Sequence, residues 1–368
     1  MLEQILSLPL EQKIGQLFFI GLAGTEVNDT ARELLEEIAP AGVCLFARNI
    51  RETSQTRKLL DDVRAHLPVA PFLSLDQEGG LVDRLRRVVE PMPQANLLRT
   101  SEQCETLARI TAEILRILGF NMNFAPVVDI VTQERGKFSN GGLFSRAFGK
   151  SKEEVFEFSE KYLGTLQANG VLGSIKHFPG LGASEVDSHE ELPRVNLKTE
   201  EFNSIDLYPY KEFFKAKEVH AVMCAHAAFP NLDLQERDQS GKLLPSSLSF
   251  NFTTKLLREH LGFDGLALTD DLEMGAILKN YGIGEACKMA IKAGHDQLLI
   301  CNDANAIREG YAAVLKAVKS GEIEEIRVNN SLQRIAAVKN LIQPPFDFDK
   351  NRLSELSNEI SDLKALLK

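Results

Sequence analysis

The chain has 368 residues, 44% of them hydrophobic, and a formal net charge of -10. That length supports a large buried core, in one α/β domain or two smaller ones, and the acidic balance argues against a nucleic-acid or anionic-membrane partner. The cysteines (Cys44, Cys104, Cys224, Cys287, Cys301) form no CxxC pair and no zinc spacing, the N-terminal segment lacks a basic leader pattern, and no apolar stretch is long enough to span a membrane, so the expectation is a cytoplasmic protein with free thiols.

Eight short apolar runs recur in chain order, each followed by turn residues and then a helical period. They are GQLFFIGL (15–22), AGVCLF (41–46), APFLSLD (70–76), NMNFAPVVDI (121–130), VLGSIKHF (171–178), HAVMCAHAAF (220–229), DGLALTD (264–270) and QLLIC (297–301). Nearly unbroken apolar character suits strands buried on both faces, as in a parallel sheet. Between them lie amphipathic stretches with helix-start chemistry. Asp29-Thr30 opens one that ends near Ile38, and Thr53 opens one that runs to about His66. Ser101, Ser151, Ser249 and Asp303 stand at the heads of others, and Gly170, Gly262 and Gly294 follow helical runs. Strand alternating with helix eight times predicts a single-domain (β/α)8 TIM-type barrel. A doubly wound open sheet is the alternative, weakened because no GxGxxG follows the first run. The tail predicts a helix over about 323–341, then PPFDFD, then a charged helical end that packs on the barrel or supports weak self-association. The expected division is a barrel over 1–345 and a helical tail over 346–368.

In such a barrel the site lies where strands end at their C-terminal side. The third run ends in Asp76-Gln77-Glu78-Gly79-Gly80, with Arg84 close behind. The fourth ends in Asp129, the fifth gives Lys176-His177, the sixth carries His226, and the seventh ends in Thr269-Asp270-Asp271. Charges beside buried strands are costly unless paired or functional, so five such ends on one face favour a site. Asp270 fits a nucleophile, a metal ligand or a helix N-cap; the N-cap role suits Asp271 better. Asp187-Ser188-His189 places a carboxylate where it can orient an imidazole, although an Asx-turn with an incidental histidine is an equal reading. No GxSxG accompanies Ser188, and the histidines His177, His189 and His226 lack metal-motif spacing. Phe18, Phe19 and Phe46 are expected in the core. A cleft of Asp, Lys, His and Arg without a phosphate loop or metal motif suits a small polyhydroxylated ligand.

These segments also carry a resemblance. IGQLFFIGL, GVCLFARNI, LSLDQEGG, NFAPVVDI, SRAFGK, SIKHFPG, VDSHEELP, AVMCAHAAFP, PSSLS and LALTDDLEMGAI, in that order over roughly residues 10 to 300, resemble glycoside hydrolase family 3, specifically its single-domain bacterial β-N-acetylglucosaminidases. The resemblance implies the (β/α)8 barrel and a retaining exo-β-N-acetylglucosaminidase with no metal and no cofactor, acting in the cytoplasm on muropeptides of cell-wall recycling as a monomer or weak homodimer. It implies Asp270 as nucleophile and His189, oriented by Asp187, as general acid/base. It places Asp76, Arg84, Arg146, Lys176 and His177 on the N-acetylglucosamine hydroxyls, with Asp129 and His226 as supports. The chain departs from the family pattern at Leu181, where a histidine is usual, and at Leu81, where an arginine is usual. A β-glucosidase or β-xylosidase of the same family, or a non-catalytic sugar-binding barrel, are the rival expectations.

Overall fold

The computed structural model describes residues 1–131, 142–184 and 191–368. All eight apolar runs are strands: β1 (Phe18–Gly21), β2 (Gly42–Leu45), β3 (Phe72–Leu75), β6 (Met122–Asn123), β7 (Leu172–Phe178), β8 (Ala221–Cys224), β9 (Leu266–Asp271) and β10 (Gln297–Ile300). They form one sheet in the order β3-β2-β1-β10-β9-β8-β7-β6, and every pairing in it is parallel. The remaining two, β4 (Gln77–Gly79) and β5 (Val82–Asp83), make an antiparallel hairpin directly after β3, which the apolar pattern does not announce.

The first and last strands of that order meet. Asn121 N donates to Leu73 O and Phe124 N to Leu75 O, each at 3.0 Å. β6 is short because Pro126, which offers no N–H, follows it. Two buried amides make up the deficit. Asn121 accepts from Leu73 N (2.8 Å) and donates to Pro71 O (3.0 Å), and Asn123 accepts from Gln77 N and donates to Gln77 O (both 2.9 Å). The sheet is therefore a closed barrel, and the open doubly wound alternative falls.

The helices lie outside the barrel as the periodicity predicts, with small shifts at their starts. Asn28, not Asp29, caps the first, accepting from Ala31 N at 2.9 Å, because Asp29 turns instead to Arg32. Glu52 and Gln55 form a capping box ahead of Thr53–His66. Thr100 caps Ser101–Leu118 and frees Ser101 to bond Glu157. Ser151 and Asp303 cap as expected. Ser249 stands two residues before Asn251–His260 and accepts from Phe252 N.

The barrel floor is aromatic: Phe19 stacks near Phe72 and meets Phe124 edge-on, with centroids 6.3 Å and 5.2 Å apart. The tail helix Lys350–Leu366 lays Leu353, Leu356, Ile360 and Leu363 into the main core, and Arg109–Glu359 and Arg352–Glu113 ion pairs join it to Ser101–Leu118. Among the described residues no helix is long and apolar enough to cross a membrane.

Candidate active site

Two strand irregularities aim the chemistry. On β7 Lys176 pairs with Met223 and Phe178 with Cys224, so His177 is an extra residue; the Lys176–His177 peptide is cis. On β9 Leu268 and Asp271 pair with Gln297 and Leu299, so β9 has Thr269 and Asp270 where β10 has Leu298 alone. Thr269 Oγ1 accepts from Leu299 N at 3.0 Å, in place of the interrupted ladder bond. A regular strand sends neighbours to opposite faces; a bulge re-aims one of them, and so adjacent residues Lys176 and His177 both serve the barrel mouth.

The β4–β5 hairpin delivers the facing charges. Gly79 and Gly80 take positive φ, and a Cβ on Gly79 would lie 2.1 Å from Pro93 O, so this turn requires glycine. Buried Gln77 donates to Asp83 (2.8 Å) and accepts from Arg84 N (3.0 Å) and Leu85 N (3.1 Å), while Asp83 accepts from Met92 N (2.8 Å). These bonds set Glu78 and Arg84 on either side of Lys176's partner Asp76.

The result is a chain of ion pairs. Lys176 Nζ lies 2.6 Å from both Asp76 Oδ1 and Glu78 Oε1. Arg146 grips Glu78 with two bonds, at 2.7 and 3.0 Å, and donates to His177 Nε2 at 3.3 Å. His177 Nδ1 meets Asp129 Oδ2 at 2.7 Å, and Asp129 also accepts from Leu181 N at 2.6 Å. An imidazole that accepts at Nε2 donates at Nδ1, so Asp129 fixes the tautomer. Burial alone would raise the Asp76 and Glu78 pKa values, but the cations win: Lys176 and Arg84 hold Asp76 below the usual carboxylate range, and Arg146 with Lys176 holds Glu78 well below it. Burial opposes the charge of Lys176, yet Asp76 and Glu78 keep its pKa above the ordinary value.

Asp76, Arg84 and Asp270 line one cavity of about 360 Å³, together with Phe46, Phe124, Met223, Asp271 and Glu273. Arg84 lies 3.4 Å from Asp76 Oδ2 and over the Phe46 ring, and its Nε has no partner among the described residues. Phe46 is thus cavity wall, not core as the sequence suggested, because Arg48 and Arg84 cover its ring from the mouth. Phe18 and Phe19 are core as expected. Asp270 Oδ1 accepts from Asp271 N at 2.8 Å. Asp271 is not a helix N-cap; its carboxylate accepts from Glu273 N (3.0 Å) in a tight turn, and the next helix, Gly275–Leu278, starts later. Burial, with Glu273 and Asp270 nearby, pushes the Asp271 carboxyl up to about 7. His226 bridges Ser247 Oγ (2.6 Å) and Asp271 O (3.1 Å), which pins the end of β9. A hydrogen bond with Cys44, and burial, raise the Cys301 thiol, so Cys301 is a poor nucleophile.

Of the residues expected in the site, Asp76, Arg84, Arg146, Lys176, His177 and Asp270 converge on this mouth; Asp187 and His189 lie outside the described residues. Glu78 was missed as a site residue. Its position between two turn glycines and the strand-end Asp76 is a signal, but only the fold shows that it faces two cations. Among the described residues no cluster of His, Cys, Asp and Glu is arranged to hold a metal ion.

A closed parallel barrel with its ionic groups gathered at the C-terminal strand ends is the architecture of a barrel enzyme. The chain belongs to glycosyl hydrolase family 3, whose N terminal domain model matches residues 9–338, and it is a glycoside hydrolase. It is similar to a beta-hexosaminidase of Tolumonas auensis, 31% identical over 307 residues covering 82% of this chain and 86% of the relative. A beta-hexosaminidase of Pseudomonas aeruginosa is 30% identical over 317 residues, 84% of this chain and 90% of the relative. Among solved structures, a family 3 beta-N-acetylglucosaminidase from Paenibacillus sp. str. FPU-7 superposes with a TM-score of 0.86 at 35% identity, over 97% of this chain and 69% of that one.

Proposed function

We propose that this glycoside hydrolase is a retaining exo-β-N-acetylglucosaminidase that removes the non-reducing terminal sugar, from muropeptides in the cytoplasm. The observation that supports it most is the placement of Asp270 in the same small cavity as Asp76 and Arg84, at the end of the Lys176–Glu78–Arg146–His177 chain. The Paenibacillus neighbour is named for the same sugar, and the relatives' name, beta-hexosaminidase, is consistent with it.

In this reading the ion-paired carboxylates and cations hold the sugar hydroxyls and Asp270 Oδ2 attacks the anomeric carbon. His189, oriented by Asp187, gives its proton to the departing oxygen as the glycosidic bond breaks. Neutral His189 then takes a proton from water, which attacks the glycosyl-Asp270 ester and releases the sugar with retained configuration. Of the two departures from the family pattern, Leu81 is exposed at the hairpin tip against Gly142, and Leu181 is buried with its N–H on Asp129; neither is a residue that this mechanism uses.

The test is to incubate the protein with a 5-fluoro N-acetylglucosamine analogue bearing an activated leaving group and to map the adduct by mass spectrometry. The adduct is expected on the peptide containing Asp270, and His189→Ala is expected to slow turnover of an unactivated substrate by about 10²- to 10⁴-fold. An adduct elsewhere, or faster cleavage of aryl glucosides than of aryl N-acetylglucosaminides, would overturn the assignment.

A further inference from the structure

The extra residue at the end of β9 belongs to that strand alone. Leu298, Leu299 and Ile300 of β10 pair with Phe18, Phe19 and Ile20 of β1 without a break. Leu266, Ala267, Leu268 and Thr269 of β9 pair in the same unbroken way with Ala221, Val222, Met223 and Cys224 of β8. Only between β9 and β10 does the register slip, from Leu268 opposite Gln297 to Asp271 opposite Leu299. Thr269 is thus the last residue of β9 that keeps a regular neighbour, and Asp270 is the residue displaced.

Leu299 closes this slip from both ends. Its N–H donates to Thr269 Oγ1 at 3.0 Å, and its carbonyl accepts from Leu272 N at 2.9 Å. The segment 269–272, with Asp270 inside it, is therefore fastened at each end to one residue of β10. In a regular parallel ladder such an N–H finds a backbone carbonyl. Here it finds a hydroxyl on a fully buried, β-branched side chain, whose χ1 is confined. Within the segment Asp270 Oδ1 accepts from Asp271 N at 2.8 Å, which fixes the rotation of the carboxylate and leaves Oδ2 for the sugar.

We propose that Thr269 is a positioning residue for the reaction: by taking the Leu299 N–H, its hydroxyl sets the bulge that aims the Asp270 carboxylate at the anomeric carbon. The inference rests on the reading of Asp270 as nucleophile. Thr269 is buried and takes no part in the cavity wall, so it acts through Asp270. Without the hydroxyl, the buried Leu299 N–H is left unpaired unless the bulge shifts to offer a carbonyl, and such a shift moves Asp270. A misplacement of about 1 Å in an attacking group costs about 10²-fold in rate. The groups that hold the sugar are mounted elsewhere: Asp76 and Glu78 lie at the end of β3 and in the hairpin after it, and Lys176 lies on β7. Loss of the Thr269 acceptor should therefore slow the attack and spare the binding.

Thr269→Val keeps the shape and branching of the side chain and removes the acceptor. Thr269→Ala removes the acceptor without adding bulk, and Thr269→Ser keeps it and drops the methyl group. On 4-nitrophenyl β-N-acetylglucosaminide, the Val and Ala variants are expected to lose about 10- to 100-fold in kcat, and Thr269→Ser to stay within about threefold of the parent. The first-order rate constant for trapping by the 5-fluoro analogue, which reads the attack of Asp270, should fall by about 10- to 100-fold in Val and Ala as well. The dissociation constant of N-acetylglucosamine, measured by calorimetry, should stay within about twofold in all three, since none of the sugar-holding groups depends on the bulge. A parental trapping rate in a folded Val or Ala variant, a loss of sugar binding as large as the loss in rate, or a Ser variant as slow as Val would overturn this inference and leave the glycosidase reading standing. Failure of both Val and Ala to fold would assign the hydroxyl to stability and overturn it equally. An adduct away from Asp270 in the parent would sink both.

Discussion

Glu78 is the residue on which the ionic array turns. It is buried, and it meets Lys176 at 2.6 Å and Arg146 through two bonds. Removing its charge strands Arg146 beside His177 and leaves Lys176 with Asp76 alone. Breaking a buried pair from one side typically costs about 3–5 kcal/mol, because the remaining charge keeps its desolvation penalty. Glu78→Gln is therefore expected to lower stability by an amount on that order in urea titrations and to raise KM for N-acetylglucosaminides about tenfold, with a smaller effect on kcat. An unchanged KM would show that the array serves stability only. Asp76, Lys176 and His177 were legible because each closes an apolar run. Glu78 stands two residues past a strand end, where a polar residue is ordinarily just a solvated turn, and only the hairpin's return toward the barrel axis makes it otherwise.

At the scale of elements, the seam between β3 and β6 decides whether the sheet closes. β6 contributes few backbone bonds, so Asn121 and Asn123 extend the ladder with their side chains. Asn123 bonds both the N–H and the C=O of Gln77, the residue that follows Asp76. Asn123→Ala leaves both of those backbone groups buried and unpaired, at roughly 1–3 kcal/mol each. The expected outcome is a loss of about 2–6 kcal/mol in urea unfolding together with weaker sugar binding, because the end of β3 loses its lateral support. Full stability in this variant would mean that water replaces the amide. The eight strands themselves were readable from apolar runs bounded by turn residues. The bulges at His177 and Asp270 were not, since a bulge depends on how two strands register and neither strand records its partner.

The molecule as a whole is fastened by its C-terminal helices, and one residue there links stability to pH. Lys339 ends the helix Glu325–Lys339, is 2% exposed, donates to Ala70 O at 2.7 Å and sits over the Phe72 ring. Burial without a counter-charge pulls its pKa from 10.5 down to about 7. Between those two values the unfolded chain binds more protons than the folded one, so this group's contribution to stability rises with pH across that window. Below about pH 7 the ammonium is charged in both states and its burial penalty is fully felt. Lys339→Met should accordingly be more stable than the parent at about pH 6, with the advantage shrinking toward pH 10. Urea midpoints at several pH values check this, and an advantage that grows with pH would refute it. The helix Lys350–Leu366 buries Leu353, Leu356, Ile360 and Leu363 in the main core, so the tail is continuous with it.

The order of apolar runs, turn residues and caps determined the barrel from the sequence alone, because burial on both faces and a strand-helix period are local properties of the chain. The strand-end residues Asp76, Lys176, His177 and Asp270 followed from that order, since a parallel barrel gathers those ends on one rim. What the tertiary structure decided was partnership: Glu78 against Lys176 and Arg146, Phe46 beneath two guanidinium groups, and Asp271 in a turn. Electrostatic and packing partners are set by distances between segments remote in sequence, and those distances exist only once the barrel has closed.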